Sequence, residues 1–235
     1  MELRQRLDAA TLYFICGAQP GGRGLGEVLP RALAGGVGIF QLRMKGAGDD
    51  ELLVAAAVAR QACDEAGALF ILNDRPDLVD VTAADGVHVG QDDAAVAEAR
   101  AAIGPDRLIG ISTHEPAQLA KAIADGADYA GVGPVNETPT KPGRAAVGLN
   151  YVRHASQIAT GLPFEGAAPE NVPGASGLIP FFAIGGIDTE TVGEVIAAGA
   201  KRFAVVRAIA EAADPERAAR DLLAAAEQGA LSGAA

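Results

Sequence analysis

The sequence has no tryptophan and only two cysteines, Cys16 and Cys63. Each cysteine lies inside an apolar segment and the two have no paired spacing, which favours two buried thiols over a disulfide or a zinc site. Basic residues are also scarce, since 19 Lys and Arg stand against 30 Asp and Glu, giving a formal charge of −11. Such a chain has little attraction for nucleic acid or for an anionic membrane, so any phosphate that it binds requires a local positive pocket.

Long hydrophobic runs are missing as well. No apolar stretch approaches the roughly 18 residues that a membrane-spanning helix needs. The amino terminus carries Glu2, Arg4, Arg6 and Asp8 before a short apolar run, which is too charged for a signal peptide. We therefore expect a cytoplasmic protein whose partners are small molecules, not nucleic acid or membrane, and the sequence leaves a homo-oligomer open.

Short apolar runs alternate with helical patterns along the whole chain. The predicted strands are residues 11–16, 37–43, 69–72, 86–89, 108–111, 128–132, 181–184 and 203–206. The predicted helices are residues 25–34, 49–66, a short one ending near 81, 94–102, 116–124, 149–159, 188–198 and 214–227. This alternation predicts an α/β fold, a single (β/α)8 TIM barrel over residues 1–235, with an open doubly wound sheet as the alternative.

Two segments fall outside the alternation. Residues 160–178 are rich in Gly and Pro and are expected to form a flexible surface insertion, and the tail from Gly229 onward is expected to fray. Polar, Gly or Pro residues stand at the end of nearly every predicted strand: Arg43, Asn73, Gln91, Ser112, Pro134, Gly186 and Arg207. The carboxyl ends of barrel strands carry the active site, so this pattern favours the closed barrel over the open sheet.

The run Gln41-Leu42-Arg43-Met44-Lys45 ends the second predicted strand. Because alternate residues of a strand share a face, Gln41, Arg43 and Lys45 are expected to point together. Burying two unpaired cations would cost several kcal/mol of free energy. We therefore predict that this face lies at the rim of the barrel and holds an anion.

Acidic residues follow the next two strands. Asp74 comes after the third strand and Asp93 after the fourth, so both carboxylates can face one hard cation. Mg²⁺ typically takes one or two carboxylates together with phosphate and water. The alternative is that both are ordinary turn and helix-capping residues.

Phosphate-binding candidates lie later in the chain. Gly185-Gly186 follows the seventh strand, where barrels often bind phosphate, although a simple tight turn is the alternative. The loop of residues 133–144 offers Thr138, Thr140 and Lys141 to an anion, but its composition also suits a solvated loop.

The three histidines give weaker signals. His88 lies within the fourth strand and is expected to be a hydrogen-bonded inner residue, His114 lies near the rim or caps a helix, and His154 belongs to a helix surface. No Cys/His spacing indicates zinc, and no Gly-Xaa-Ser-Xaa-Gly motif indicates a hydrolase.

Six short motifs in this order resemble the thiamine-phosphate synthase (thiamine-phosphate pyrophosphorylase) family. They are Gln41-Leu42-Arg43-Met44-Lys45, Asn73-Asp74, Asp85-Gly86-Val87-His88-Val89-Gly90-Gln91-Asp92-Asp93, Gly110-Ile111-Ser112-Thr113-His114, Gly131-Val132-Gly133-Pro134 with Thr138-Pro139-Thr140-Lys141, and Ala183-Ile184-Gly185-Gly186-Ile187. The resemblance covers nearly the whole chain.

The resemblance implies a role for each matching residue. The pyrimidine diphosphate would be held by the segment from Gln41 to Lys45 and by Asn73, Ser112 and Lys141, with Tyr13 lining the pyrimidine pocket. Mg²⁺ would be held by Asp74 and Asp93. The thiazole phosphate would be held by Thr138, Pro139, Thr140, Gly186, Val206 and Arg207. Arg207 stands where many members have Ser, so a guanidinium would replace a hydroxyl there.

The resemblance also implies the reaction, a transfer of a pyrimidinylmethyl group to a thiazole phosphate with pyrophosphate as the leaving group. Diphosphate would leave first, aided by Mg²⁺, Arg43, Lys45, Ser112 and Lys141, before the thiazole nitrogen attacks. Two alternatives are a related thiazole tautomerase that uses His114, and a non-catalytic barrel that binds phosphate ligands. The tautomerase would have no need for the cations and acids at the rim together.

Overall fold

The computed structural model describes residues 2–91, 93–139, 145–159 and 179–233. Within these residues a closed, all-parallel barrel has the strand order β1 to β8, and β1 pairs with β8 to complete it. The strands are β1 Leu12–Cys16, β2 Ile39–Leu42, β3 Leu69–Asn73, β4 Gly86–Val89, β5 Leu108–Thr113, β6 Tyr129–Val132, β7 Phe181–Ile184 and β8 Phe203–Val205. The closed barrel that the alternation predicts is confirmed. The predicted insertion at residues 160–178 lies outside the described residues, and the single domain over residues 1–235 stays a prediction.

Helices surround the strands. They are α1 Leu3–Ala9, α2 Leu25–Ala34, α3 Asp49–Ala66, α4 Val96–Ile103, α5 Pro116–Ala124, α6 Gly148–Ala159, α7 Val192–Ala197, α8 Arg207–Ala210 and α9 Pro215–Gly233. Between β3 and β4 the chain forms only a single 3-10 turn at Pro76–Leu78 followed by further turns, in place of the short helix expected there. Among the helices of the described residues, none combines the length and apolar character that a membrane crossing requires.

The core divides into two layers because alternate strand residues face opposite ways. The larger layer packs the outer faces of the strands against the helices. The smaller layer fills the barrel interior, where the rings of Tyr13, Tyr129 and Phe182 meet edge to face with centroids 5.3 to 6.0 Å apart. Edge-to-face rings of this spacing fill the interior densely, so the barrel centre is a packed core that supports the rim above it.

The tail from Gly229, which is expected to fray, is helical in the described residues, since α9 continues to Gly233. The reason is a close helix crossing with α7. A Cβ atom at Gly229 would lie 2.6 Å from the Cα atom of Gly193, so the two glycines allow the backbones to touch. This tertiary contact holds residues that the local sequence would leave loose.

Candidate active site

Loops after three consecutive strands place two acids and a lysine together. The Nζ atom of Lys45, beyond the end of β2, lies 2.8 Å from Oδ2 of Asp74, which follows β3. It also lies 3.8 Å from Oδ2 of Asp93, which follows β4. Both carboxylates are only partly exposed, 18% for Asp74 and 31% for Asp93. The positive group between the two acids in this structure is therefore Lys45, and the Mg²⁺ expected there stays a prediction.

Asp74 is held in an unusual backbone conformation. Its φ of 59° lies in the left-handed region, which costs a non-glycine residue about 1 kcal/mol or more. Its N–H donates to the carbonyl of His88 (2.9 Å), and Nδ2 of Asn73 donates to its Oδ2 (2.5 Å). Such strain persists only where the surroundings fix it, and these two hydrogen bonds do so for Asp74.

The segment after Asp74 is fixed by Arg75. Its guanidinium binds Asp77 through Nε and Nη2, and it reaches Asp49 at the start of α3 through Nη1 (2.7 Å). Hydrogen bonding to these carboxylates raises the pKa of Arg75, and the guanidinium in turn lowers the pKa of Asp77. The loop that carries Asp74 is thus tied to the start of α3.

Asp93 is oriented by its own turn. The Gly90 N–H donates to Oδ2 of Asp93 (3.0 Å), and Gln91 donates through Nε2 to the carbonyl of Ser112 (2.7 Å). These bonds connect the loop after β4 to the end of β5. They leave the carboxylate of Asp93 directed toward Lys45.

The donor set can be compared with the needs of a metal ion. No group of three or more His, Cys, Asp or Glu that could hold a metal occurs among the described residues. Two carboxylate oxygens that already converge on one positive charge instead suit a hard dication that completes its shell with water and phosphate. Asp74 and Asp93 fit Mg²⁺ on these grounds, and they do not fit a site built from protein ligands alone.

A cavity of about 300 Å³ opens at the rim and is lined by the ends of β5 to β8. Of the residues expected to bind the thiazole phosphate, it includes Thr138, Gly186, Val206 and Arg207. Ser112 and His114 also line it. The structure therefore brings these sequence-predicted residues to one cavity.

The turn at Gly186 requires glycine. Its φ is +60°, and a Cβ atom there would lie 2.7 Å from Cβ of Asn136. Asn136 donates through Nδ2 to the Gly186 carbonyl (3.0 Å), which fixes the loop after β6 against the turn. The two glycines are thus a tight turn and also a wall of the cavity.

A chain of buried polar groups crosses the barrel interior beneath the rim. Gln41 donates through Nε2 to the hydroxyl of Tyr13 (2.7 Å), which lies 2.9 Å from the hydroxyl of Tyr129. Tyr129 then contacts Nδ1 of His88 (3.3 Å), and Nε2 of His88 contacts Oγ of Ser112 (3.0 Å). Burial raises the pKa of both tyrosines, so both hydroxyls keep their protons. The network fixes the orientation of Ser112 from below.

The placement of several predicted residues differs from the expectation of one shared rim. Gln41 is 2% exposed and bound to Tyr13, so it lies inside the barrel and not on the open rim with Lys45. The Leu42 side chain packs in the outer core, with Met44 against it, because both face the opposite way from Gln41. The Leu42 side chain is therefore buried away from the rim, and that of Met44 is half-buried.

The remaining predicted residues are placed as follows. Arg43 is half-buried just beyond β2, with its N–H donating to the Cys16 carbonyl (2.8 Å), and Pro139 is exposed. Thr140 and Lys141 lie outside the described residues. The ring of His114 contacts the Gly133 carbonyl, and the backbone N–H of His114 donates to Oε1 of Gln118. The interior position expected for His88 is confirmed.

Sequence reasoning missed Tyr129. Its signal was Gly110, the residue paired with it on β5, where a Cβ atom would lie 2.1 Å from the Tyr129 ring. A glycine inside a strand often marks a close approach by another group. The glycine therefore indicates that a large side chain on the neighbouring strand, such as an aromatic residue, packs against it.

Replacing Tyr129 by Phe is expected to lower the free energy of unfolding by about 1 to 3 kcal/mol, because the Tyr13 hydroxyl and His88 lose a buried partner. We also expect the rate of the reaction proposed below to fall about tenfold through misorientation of Ser112. The checks are urea unfolding and steady-state kinetics. Tyr151→Phe is the matched control, since its buried hydroxyl binds Thr113 (2.8 Å) away from this network and its loss should leave the rate unchanged. Equal rates in the two variants would contradict the role of the network.

Comparison with known proteins agrees with this geometry. The family model described as thiamine monophosphate synthase matches residues 12–209. A thiamine-phosphate synthase from Gloeobacter violaceus is 49% identical over 92% of this chain and 57% of its own length. One from an Arthrobacter species is 46% identical over 95% of this chain and 97% of its own length. The chain thus spans just over half the length of some curated relatives and nearly all of others.

Solved structures agree as well. A thiamine phosphate pyrophosphorylase from Pyrococcus furiosus superposes with a TM-score of 0.79 at 29% identity, covering 97% of this chain and 99% of that one. A 3-hexulose-6-phosphate synthase, at 19% identity and a TM-score of 0.59, shows the barrel fold alone. The match of the family model over residues 12–209 confirms the family that the six motifs predict. This chain belongs to the thiamine monophosphate synthase family.

Proposed function

We propose that this chain is a thiamine-phosphate synthase, a transferase that joins hydroxymethylpyrimidine diphosphate to a thiazole phosphate. The bond between the pyrimidine methylene and the diphosphate oxygen breaks, and its electron pair leaves with pyrophosphate. The lone pair of the thiazole nitrogen forms the new carbon–nitrogen bond of thiamine phosphate. The observation that carries this proposal is the convergence of Lys45 and two carboxylates on one side of a rim whose other side is a cavity walled by Gly186 and Arg207.

The leaving diphosphate would lie beside Lys45, Arg43 and Asn73. Bound Mg²⁺, held by Asp74 and Asp93, would neutralise charge on the phosphate oxygens. Arg43 and Lys45 would add positive charge where negative charge develops as the carbon–oxygen bond breaks. Ser112, fixed by His88 at 3.0 Å, would donate a hydrogen bond, and Lys141 would contribute a further cation.

The thiazole phosphate would occupy the cavity at the ends of β7 and β8. Gly186 lets the backbone approach closely, and Arg207, exposed at the start of α8, supplies the charge. Thr138, Pro139 and Thr140 would close the site from the loop after β6. A guanidinium in the place of the hydroxyl found in many members would bind the phosphate through two N–H groups.

No general base is needed for this reaction, because the attacking nitrogen carries a free lone pair. The buried tyrosines fit this scheme, since raised pKa values keep them neutral hydrogen-bonding groups. Tyr13 and Gln41 would then support the floor of the pyrimidine site. We also propose a cytoplasmic setting and no nucleic-acid or membrane partner, in keeping with the formal charge of −11.

The decisive experiment mixes the purified protein with hydroxymethylpyrimidine diphosphate, thiazole phosphate and Mg²⁺ and follows thiamine phosphate by chromatography. We expect product with Mg²⁺ and none with excess chelator, and restored product when Mg²⁺ is returned. Tight binding of both ligands without product would instead support a non-catalytic barrel. Isomerisation of a thiazole precursor in place of condensation would support a tautomerase.

A further inference from the structure

Lys45 lies between Asp74 and Asp93, the two acids that would hold the metal ion in the proposed function. Its Nζ atom approaches Oδ2 of both acids, at 2.8 and 3.8 Å. No other Lys or Arg of residues 2–91, 93–139, 145–159 and 179–233 forms an ion pair with either acid. Two carboxylates this close to a shared cation repel each other without it, so the ammonium group stabilises the pair.

The lysine can leave this position easily. Its side chain is 52% exposed, and exposed ion pairs are weak and exchange with solvent. The chain after it is uncrowded, since a Cβ atom at Gly46 or Gly48 would meet nothing within 4 Å. A dication carries twice the charge of an ammonium group and takes carboxylate oxygens directly into its coordination shell.

We propose that Lys45 is a displaceable occupant of the metal site: it holds Asp74 and Asp93 together before metal binds, and the metal ion drives it out. The displaced ammonium group is then available to the diphosphate, so metal binding prepares the anion site. The proposal rests on the proposed function in treating the two acids as metal ligands. Its first step, the competition between lysine and metal, is independent of any catalysis.

The competition predicts a specific effect on metal affinity. Apparent affinity is reduced by the fraction of molecules in which the lysine blocks the site, so Lys45→Met should bind Mn²⁺ about fivefold more tightly than the unmodified protein. Mn²⁺ serves as the probe because its binding to substrate-free protein is counted by electron paramagnetic resonance. Arg43→Met is the matched control, since it removes one positive charge from the same segment but no group that contacts either acid. It should tighten binding by less than about twofold.

A second measurement follows the lysine itself. An amine-acetylating reagent and mass spectrometry give the labelling rate of Lys45 with and without saturating Mg²⁺. We expect Mg²⁺ to raise this rate several-fold by releasing the ammonium group from its ion pair. Lys121 of α5 is the internal control because it pairs with Asp125, just beyond the end of that helix, and its labelling rate should not change.

Four results would overturn the proposal. Three are equal Mn²⁺ affinity in Lys45→Met and the unmodified protein, equal tightening in Lys45→Met and Arg43→Met, and a Lys45 labelling rate that Mg²⁺ leaves unchanged. The fourth is the absence of Mn²⁺ binding in every protein. Because no substrate is present, failure of the proposed function is seen separately, as absence of thiamine phosphate in the chromatographic assay.

Discussion

Replacing Asp93 by Asn is expected to lower the rate of thiamine phosphate formation about 100-fold when Mg²⁺ is limiting. A metal ligand contributes several kcal/mol to the stabilisation of a leaving diphosphate, and the amide is a much poorer ligand than the carboxylate. Asn keeps the size of the side chain and can still accept the Gly90 N–H, which Asp93 binds at 3.0 Å. The loop should therefore hold its shape, and the loss should come from the missing charge.

The measurement is the initial rate as a function of Mg²⁺ concentration. We expect high Mg²⁺ to restore part of the rate in Asp93→Asn, because weaker binding is offset by mass action. Asp50→Asn is the control, since Asp50 is an exposed acid in the first turn of α3 and lies outside the proposed site. A rate in Asp93→Asn equal to that of the control, at limiting Mg²⁺, would remove Asp93 from the metal site.

The barrel could be predicted from sequence because each strand is a short apolar run bounded by Gly, Pro or polar residues. The sequence also placed Asp74 and Asp93 on neighbouring strands, and order along the chain is order around this barrel. The sequence could not show whether a residue at a strand end lies inside the barrel or in the loop beyond it. Alternation predicted that Gln41 and Lys45 share a face, but β2 ends at Leu42, so Gln41 is buried and Lys45 lies in the loop beyond.

Contacts between distant segments were also beyond the sequence. The crossing of Gly193 and Gly229 extends α9 past the point where its local pattern weakens. Likewise, the ion pairs of Lys45 depend on the side-chain directions of three separate loops. Periodicity fixes which way a residue faces within its own element, but such pairings depend on where the elements meet.

Replacing Asp128 by Ala is expected to lower the free energy of unfolding by about 2 to 4 kcal/mol, because it removes a buried carboxylate that binds two partly exposed arginines and leaves the buried Ile109 N–H unpaired. Asp128 directly precedes β6, at the end of the barrel opposite the candidate active site, and its side chain is 2% exposed. Its Oδ1 binds Arg4 (2.6 Å), and its Oδ2 binds Arg100 (2.6 Å) and the N–H of Ile109 (2.9 Å). One carboxylate thus ties α1, α4 and β5 together.

Urea unfolding measures this loss, with Asp125→Ala as the control. Asp125 is three residues away and pairs with Lys121 on the surface of α5, so its removal should cost no more than about 1 kcal/mol. Asp128→Asn should fall between the two, since its amide oxygen can still accept the Ile109 N–H but offers no charge to Arg100. The candidate active site lies at the carboxyl ends of the strands, away from Asp128. At a low temperature at which Asp128→Ala is still folded, it should therefore form thiamine phosphate at the rate of the unmodified protein. A loss of rate without a loss of stability would mean that this end of the barrel acts on the site directly.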